Sequence, residues 1–117
     1  MTKHIKVTGS CHCGETSYAI DGEMIKTSHC QCEACQKATG SDRVGFLTIN
    51  AESLKFTGKK PAFFNKIVEE GVDNCDAHGF WLYCAECGSR ILWQPTNGDQ
   101  RDILAGTLDD ISVFTAE

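Results

Sequence analysis

Short runs of alternating or wholly apolar residues dominate the chain and predict β-strands. Across residues 15–20, Thr16, Tyr18 and Ile20 alternate with their neighbours, which is typical of a strand with one buried face. Further runs rich in β-branched and aromatic residues are predicted as strands at residues 44–49, 62–68, 80–84, 90–94 and 102–105. Several of these runs are apolar on both faces, so we expect two small sheets packed together.

Only two stretches are predicted as helix, each of one or two turns. The first covers residues 33–39 and stops at Gly40, and the second covers residues 51–54 with Asn50 able to cap it. No repeat, low-complexity tract or linker interrupts the chain. We therefore predict one all-β domain over residues 1–117, held together partly by metal.

The composition is that of a soluble globular protein with an acidic balance. A chain of 117 residues, 41% of them hydrophobic, can bury roughly two-thirds of its unfolded surface. The net charge of −5 argues against a nucleic-acid partner, which usually needs a basic face. There is no secretory signal and no stretch that could span a membrane, so we expect a cytoplasmic protein with reduced thiols and no membrane partner.

Eight cysteines change this picture, because seven of them fall into short clusters that suit metal binding better than disulfides. The clusters are Cys11 with Cys13, Cys30 with Cys32 and Cys35, and Cys84 with Cys87. Joining the two outer pairs gives a four-cysteine set, which is the usual ligand set of structural zinc. The glycine that follows each outer pair would let the backbone turn and point its amides at the sulfurs. A redox role for the last pair is less favoured, since no helix is predicted after it.

The middle cluster poses the functional question. Three thiolates from Cys30, Cys32 and Cys35 would leave a tetrahedral zinc with one position for water or substrate. Alternatively, Cys75 closes the site as a fourth ligand, or it is simply a buried or idle thiol. His78, in the same polar loop as Cys75, could also serve as ligand or carry a proton.

Other side chains near the clusters are given structural interpretations. His12 and His29 flank ligands but should point away from the metal, so we expect them to be half-buried or to support the ligands. The aromatic residues around the last pair are expected to pack in the core and around the zinc rather than form a substrate box; they are Phe80, Trp81, Tyr83 and Trp93.

Four motifs follow one another along the chain in a specific order. They are GSCHCG at residues 9–14, SHCQCEACQKATG at residues 28–40, YCAECGS at residues 83–89 and AGTLDD at residues 105–110. Together they resemble the glutathione-dependent formaldehyde-activating enzyme (GFA) family, also called the centromere protein V/GFA domain, over residues 7–114. The resemblance implies a β-tent fold of small antiparallel sheets stabilised by zinc.

The resemblance also implies a division of labour between two zinc ions per chain. The structural zinc would be held by Cys11, Cys13, Cys84 and Cys87, and the active-site zinc by Cys30, Cys32 and Cys35. The chain departs from the family pattern at Gln31, where histidine is frequent, and at Cys75, which has no counterpart in the pattern.

The activity implied by the resemblance is that of a carbon–sulfur lyase. The thiol of glutathione would fill the vacant zinc position, lose its proton and add to formaldehyde, giving S-hydroxymethylglutathione, or the reverse would occur. Three thiolates already neutralise the ion, so we expect the zinc to hold and orient a thiol more than to polarise a carbonyl. The alternative is a non-catalytic module with two structural zinc ions that binds a partner.

Glutathione carries two carboxylates, which need cationic or amide partners. The candidate cations are Lys37, Arg43, Lys59, Lys60, Arg90 and Arg101. Lys37 and Arg43 rank first because they bracket the turn after the middle cluster, where Gly40 and Ser41 could offer backbone amides.

Overall fold

The computed structural model describes residues 3–114, and its strands pair antiparallel throughout this range. The strands are β1 (Lys3–Ser10), β2 (Ser17–Cys30), β3 (Val44–Asn50), β4 (Leu54–Phe56), β5 (Ala62–Phe64), β6 (Gly79–Tyr83), β7 (Arg90–Pro95) and β8 (Gln100–Leu104). The helices are α1 (Glu33–Thr39) and α2 (Cys75–His78), with single 3-10 turns at Ala51–Ser53, Ala105–Thr107 and Ile111–Val113. The predicted all-β class is confirmed.

The strands form one sheet rather than the two that the sequence predicts. Their order is β1-β2-β3-β8-β7-β6-β5, with β4 paired to β2. The join between the two halves is narrow, because β7 and β8 pair only through Leu92 with Ile103 and Trp93 with Asp102. The prediction of two packed sheets is therefore wrong, because the pairing of β7 with β8 joins the two halves into one sheet.

The apolar character on both strand faces arises because this single sheet has a core on each side. Leu92 and Ile103 lie fully buried in the larger core, whereas the next residues along the strands, Trp93 and Leu104, pack in the smaller one. Successive side chains of a strand point to opposite faces, so one strand can serve both cores. Strands that are apolar on both faces, which we expected from two packed sheets, thus arise here from one sheet that is covered on both sides.

Several element bounds differ from the predicted ones. The predicted helix at residues 33–39 is confirmed, and Gly40 ends it with a φ of 73°. The stretch at residues 51–54 is one 3-10 turn that runs into β4, and Asn50 precedes it without a side-chain capping bond. The strand predicted at residues 62–68 stops at Phe64, after which residues 65–67 lie exposed. β1, β4 and α2 were not predicted.

The two cores place the cysteine clusters on different parts of the sheet. Cys11 and Cys84 are buried in the larger core. Cys35 is buried in the smaller core, where Cys30 and Cys75 pack beside it. Within residues 3–114, no helix combines the length and the apolar character needed to cross a bilayer.

Truncation of Ile103 tests the assignment of the larger core. Ile103 is 0% exposed on β8, whereas Ile67 is 92% exposed in the segment after β5. We expect Ile103→Ala to lower the free energy of unfolding by about 2–5 kcal/mol, because it leaves a cavity beside Leu47 and Leu92. The matched change Ile67→Ala should stay within about 0.5 kcal/mol of the wild type. Urea unfolding of the zinc-loaded protein measures both, and equal losses would contradict the placement of the core.

Candidate metal centres

The first centre joins a turn after β1 to a turn after β6. The sulfurs of its four cysteines all lie within 4.8 Å of one another; they are Cys11, Cys13, Cys84 and Cys87. The Cys13 sulfur lies 3.6 Å from that of Cys11 and 3.7 Å from that of Cys84. Ligands of a tetrahedral zinc with Zn–S bonds of about 2.3 Å would lie about 3.8 Å apart, so the spacing fits zinc. The predicted long-range grouping is thus the one that the fold brings together.

Glycine turns aim backbone amides at this centre, as the sequence predicts. Gly14 and Gly88 adopt φ values of 85° and 81°, a region that other residues rarely enter. The Gly88 amide donates to the Cys84 carbonyl at 2.8 Å, which closes the second turn. The Thr16 amide donates to the Cys11 sulfur at 3.3 Å. Such bonds favour the thiolate form that a metal ligand requires.

The four thiols differ in their acidity. The Cys87 amide is the main cause that lowers the pKa of Cys84, and the Ser89 hydroxyl is the main cause that lowers the pKa of Cys87 to about 5. For Cys13, the Glu15 amide acts to lower the pKa, but burial and the neighbouring sulfurs together raise it to about 12. The neighbouring sulfurs thus oppose ionisation of all four thiols together, and a bound cation would offset that repulsion.

The second centre is built on one short segment of chain. Cys30 ends β2, Cys32 is the N-cap of α1, and Cys35 lies in its first turns. The three sulfurs lie within 4.8 Å of one another, with Cys30 and Cys32 only 3.3 Å apart. Cys32 is exposed and Cys35 is 3% exposed, so the cluster runs from the surface into the smaller core. Three sulfurs in this arrangement can hold a metal ion.

The start of α1 and burial shift the pKa values of two thiols of the second centre in opposite directions. Burial raises the pKa of Cys32, but the amide of Cys35, which donates to the Cys32 sulfur at 3.4 Å, contributes to a net lowering of that pKa. Burial raises the pKa of Cys35 well above its usual value. A cation would be needed to bring the buried thiol into the thiolate form.

Cys75 lies beside this cluster, although the sequence places it alone in a polar loop. Its sulfur is 3.7 Å from that of Cys35, and Trp93 Nε1 donates to its backbone carbonyl at 3.3 Å. Burial raises the pKa of the Cys75 thiol to about 11. His78, considered as a ligand, instead pairs through Nε2 with Asp73 and is outside the metal clusters formed by residues 3–114.

A cavity of about 360 Å³ lies beside α1, the helix that carries Cys35, although no cysteine of residues 3–114 lines it. It is lined by Glu33, Ala34, Lys37, Ala38, Phe64, Lys66, Asn74, Asp76, Trp81 and Arg90. Trp81 is 1% exposed, and its Nε1 has no hydrogen-bond partner among residues 3–114. A buried donor without a partner costs free energy, so this N–H is a candidate to donate a hydrogen bond to an acceptor atom of a bound ligand. Sequence reasoning assigned Trp81 only to packing.

Arg90 is the most firmly positioned cation of the cavity. Its Nε donates to the Ala38 carbonyl at 3.0 Å, and its guanidinium carbon lies 5.4 Å from the ring centroids of both Phe64 and Tyr83. Stacking between two rings fixes the plane of the guanidinium, so its position is pre-organised for an anion. The sequence named Arg90 as a candidate but ranked it below Lys37 and Arg43.

The predicted carboxylate partners are only partly brought together. Lys37 lines the cavity, whereas Gly40, Ser41 and Arg43 lie beyond the end of α1 and do not line it. Ser41 Oγ donates to the Arg43 carbonyl at 2.9 Å. Arg43 Nη2 lies 3.1 Å from the ring Nδ1 of His29, which turns it away from the cavity lining.

Two of the other candidate cations have partners or positions elsewhere. Lys59 pairs with Glu86 at 2.7 Å between Nζ and Oε1. Arg101 Nη1 donates at 2.8 Å to the Gln100 carbonyl, at the far end of β8. Neither these two nor Lys60 lines the cavity.

Loss of one ligand should have unequal consequences in the two centres. We expect Cys84→Ser to remove one metal ion per chain and to lower the free energy of unfolding by more than about 4 kcal/mol, because its centre links distant parts of the chain. Cys32→Ser should also remove one ion but destabilise much less, because its ligands lie within residues 30–35 and restrain only a short loop. Metal analysis and urea unfolding measure both effects. Equal destabilisation by the two substitutions would contradict the long-range role of the first centre.

Comparison with known proteins agrees with this geometry. A model of the family described as glutathione-dependent formaldehyde-activating enzyme matches residues 6–117. A crystal structure of a Rhodobacter sphaeroides protein is similar to this fold, with a TM-score of 0.63, 16% sequence identity and coverage of 87% of each chain. No curated protein sequence matches the chain. Because the family model spans nearly all of the sequence and both cysteine centres, the chain belongs to the GFA family.

Proposed function

We propose that the protein is a zinc-dependent carbon–sulfur lyase that acts on the glutathione adduct of a small aldehyde such as formaldehyde. The observation that carries the proposal is the three-cysteine centre together with a cavity beside α1 that three cations line, along with the carboxylates of Glu33 and Asp76. Membership of the GFA family supports glutathione and formaldehyde as the substrate class. A cytoplasmic location and small-molecule partners, without nucleic acid, remain predictions of the sequence.

The cavity offers partners for a thiol that carries carboxylates. Arg90, Lys37 and Lys66 supply positive charge at its rim, and the Trp81 N–H supplies a buried donor. Charge-assisted hydrogen bonds to carboxylates are the strongest type available to such a ligand. We assign the anionic ends of glutathione to these cations and one of its carbonyl oxygens to Trp81 Nε1. Arg90 thereby replaces Arg43 as the main proposed partner.

The chemistry needs a thiolate held near an aldehyde. A zinc ion bound by Cys30, Cys32 and Cys35 would favour the ionised form of the substrate thiol. Attack of the thiolate sulfur on the aldehyde carbon forms one carbon–sulfur bond as the carbonyl π bond breaks, and the oxygen takes up the proton that the thiol released. The reverse step breaks the carbon–sulfur bond and restores the carbonyl and the thiol. The role of the chain is to orient the thiol through the cavity, because formaldehyde and thiols are intrinsically reactive towards each other.

A second candidate is a non-catalytic module in which both zinc ions are structural. The observation that favours it is the 3.7 Å separation between the sulfurs of Cys75 and Cys35. In that case Cys75 would complete the second centre permanently and leave no position for a substrate. The two candidates differ in whether a thiol can reach the ion.

The assignment of the thiol site is tested by Cys32→Ser. We expect this variant to keep one zinc ion per chain, at the four-cysteine centre, and to lose both the second ion and glutathione binding. Zinc analysis and isothermal titration with glutathione measure the two effects, and the retained first ion is the internal control. Unchanged zinc content and unchanged glutathione binding would show that the site is wrongly placed.

The proposed carboxylate partner is tested by Arg90→Gln. Loss of a charge-assisted hydrogen bond is worth about 1.5–3 kcal/mol, so glutathione should bind about ten- to a hundredfold more weakly. Arg101→Gln, the same change at the far end of β8, should leave the dissociation constant unchanged. Both variants are compared at equal zinc content. Equal binding by Arg90→Gln and the wild type would remove Arg90 from the substrate site.

A further inference from the structure

The Cys75 sulfur lies close to the Cys35 sulfur of a centre that already has three cysteines, but outside the compact group that those three form. The 3.7 Å between the sulfurs of Cys75 and Cys35 equals the separation of Cys13 and Cys84 in the four-cysteine centre. It also matches the separation of about 3.8 Å expected for two thiolates on one tetrahedral zinc. We propose that Cys75 is a resident fourth ligand of the second zinc and that the substrate thiol displaces it. The displacement step rests on the proposed function, whereas the ligand assignment does not.

The backbone around Cys75 is held so that the sulfur faces the cluster. Trp93 Nε1 donates to the Cys75 carbonyl, and the Asn74 side chain accepts the Asp76 amide at 2.9 Å, which starts α2. The Cys75 side chain packs in the smaller core beside Cys35. A thiol held next to metal-bound thiolates, with a free coordination position within reach, completes the four-ligand set that zinc prefers.

Cys75 is also the ligand that is most easily displaced. Cys30, Cys32 and Cys35 lie on one continuous segment, and their sulfurs form a compact group that does not include Cys75. Cys75 reaches this group from another part of the chain, after residues 65–74, which contain neither helix nor strand. To bind the ion fully, its sulfur must move closer to the other three. The free energy that this movement costs opposes the binding of Cys75 to the ion. Cys75 is therefore the weakest of the four ligands.

The cavity beside α1 is the space from which we expect a substrate thiol to approach, although Cys75 itself does not line it. Asn74 and Asp76, the two neighbours of Cys75 in the chain, both line the cavity. If Cys75 held the fourth position, a substrate thiol would take that position and its proton would pass to the Cys75 sulfur. One thiolate would replace another, so the charge of the centre would be unchanged and no oxidant or reductant would be needed. Cys75 would thereby protect the ion in the absence of substrate.

Replacement of Cys75 should weaken the binding of the second zinc and strengthen the binding of a thiol. We expect Cys75→Ala and Cys75→Ser to bind the second zinc about tenfold or more weakly in the absence of thiol, because one ligand is lost. Both variants should bind a thiol more tightly. In the wild type only the sites from which Cys75 is absent can bind the thiol, so the apparent dissociation constant is the intrinsic one divided by the fraction of open sites. If Cys75 occupies the position about nine-tenths of the time, the gain is about tenfold. A merely structural cysteine would weaken both affinities.

The measurements use the folded full chain with two thiol probes. Competition with a chelator gives the zinc affinity, and titrations with glutathione and with 2-mercaptoethanol give the thiol affinity. Cobalt substitution supplies a second readout, since loss of Cys75 should remove about a quarter of the thiolate-to-metal absorption of the second centre and added thiol should restore it. The four-cysteine centre, studied alone in Cys32→Ser, provides the reference spectrum for four thiolates.

The outcomes separate this inference from the proposed function. Weaker zinc binding with tighter binding of both thiols supports the inference. Tighter binding of 2-mercaptoethanol without any binding of glutathione also supports it, and overturns glutathione as the substrate. Unchanged zinc affinity and an unchanged cobalt spectrum in both variants overturn it. Weaker zinc binding with weaker thiol binding overturns the displacement, because Cys75 would then be a permanent part of the site.

Discussion

The connection between the two halves of the sheet is the constraint on which the rest of the structure depends. In the strand pairing, the half that contains β1 and the half that contains β6 meet through two residue pairs of β7 and β8. The four-cysteine centre supplies another connection, because Cys11 and Cys13 follow β1 while Cys84 and Cys87 follow β6. A metal ion there would fix the relative position of the halves. A domain of this size has a limited core, so such an ion would supply a large part of its stability.

The second centre depends on that connection indirectly. Its three ligands lie on the β1–β2–β3–β8 half and on α1, whereas Cys75, Trp81 and Arg90 come from β6, β7 and the segment before them. The cavity is lined from both sides, so its shape follows from how the halves are held. Under the proposed function, the four-cysteine centre would stabilise the fold and the three-cysteine centre would bind the substrate thiol, so a change of ligands at the second ion would not loosen the fold.

The cysteine pairs and the group of three were predictable because each of them is local, and the joining of the two distant pairs was predicted from the four ligands that structural zinc prefers. Spacings of one or two intervening residues bring sulfurs onto one ion in almost any backbone conformation that can turn, and Gly14 and Gly88 supply the turns. Helix α1 was equally predictable, since it begins at Cys32 and ends at a glycine with positive φ. By contrast, β1 is largely polar and receives its structure from pairing along its full length with β2. The side-chain pattern of β1 alone therefore did not predict a strand.

The sequence by itself determined the all-β class through the periodicity of its strands, the cysteine clusters through spacings of one or two residues, and the family through the resemblance of four motifs in order. Only the tertiary structure decided that one sheet carries two cores, because strand pairing over long distances is not encoded in the periodicity of any single strand. It also placed Cys75 against Cys35, left the Trp81 N–H without a hydrogen-bond partner in the part of the chain that the structure describes, and set Arg90 rather than Arg43 beside the cavity. Each of these positions results from contacts between residues far apart in the chain. Such contacts depend on how the halves of the sheet are joined, and no local pattern specifies that.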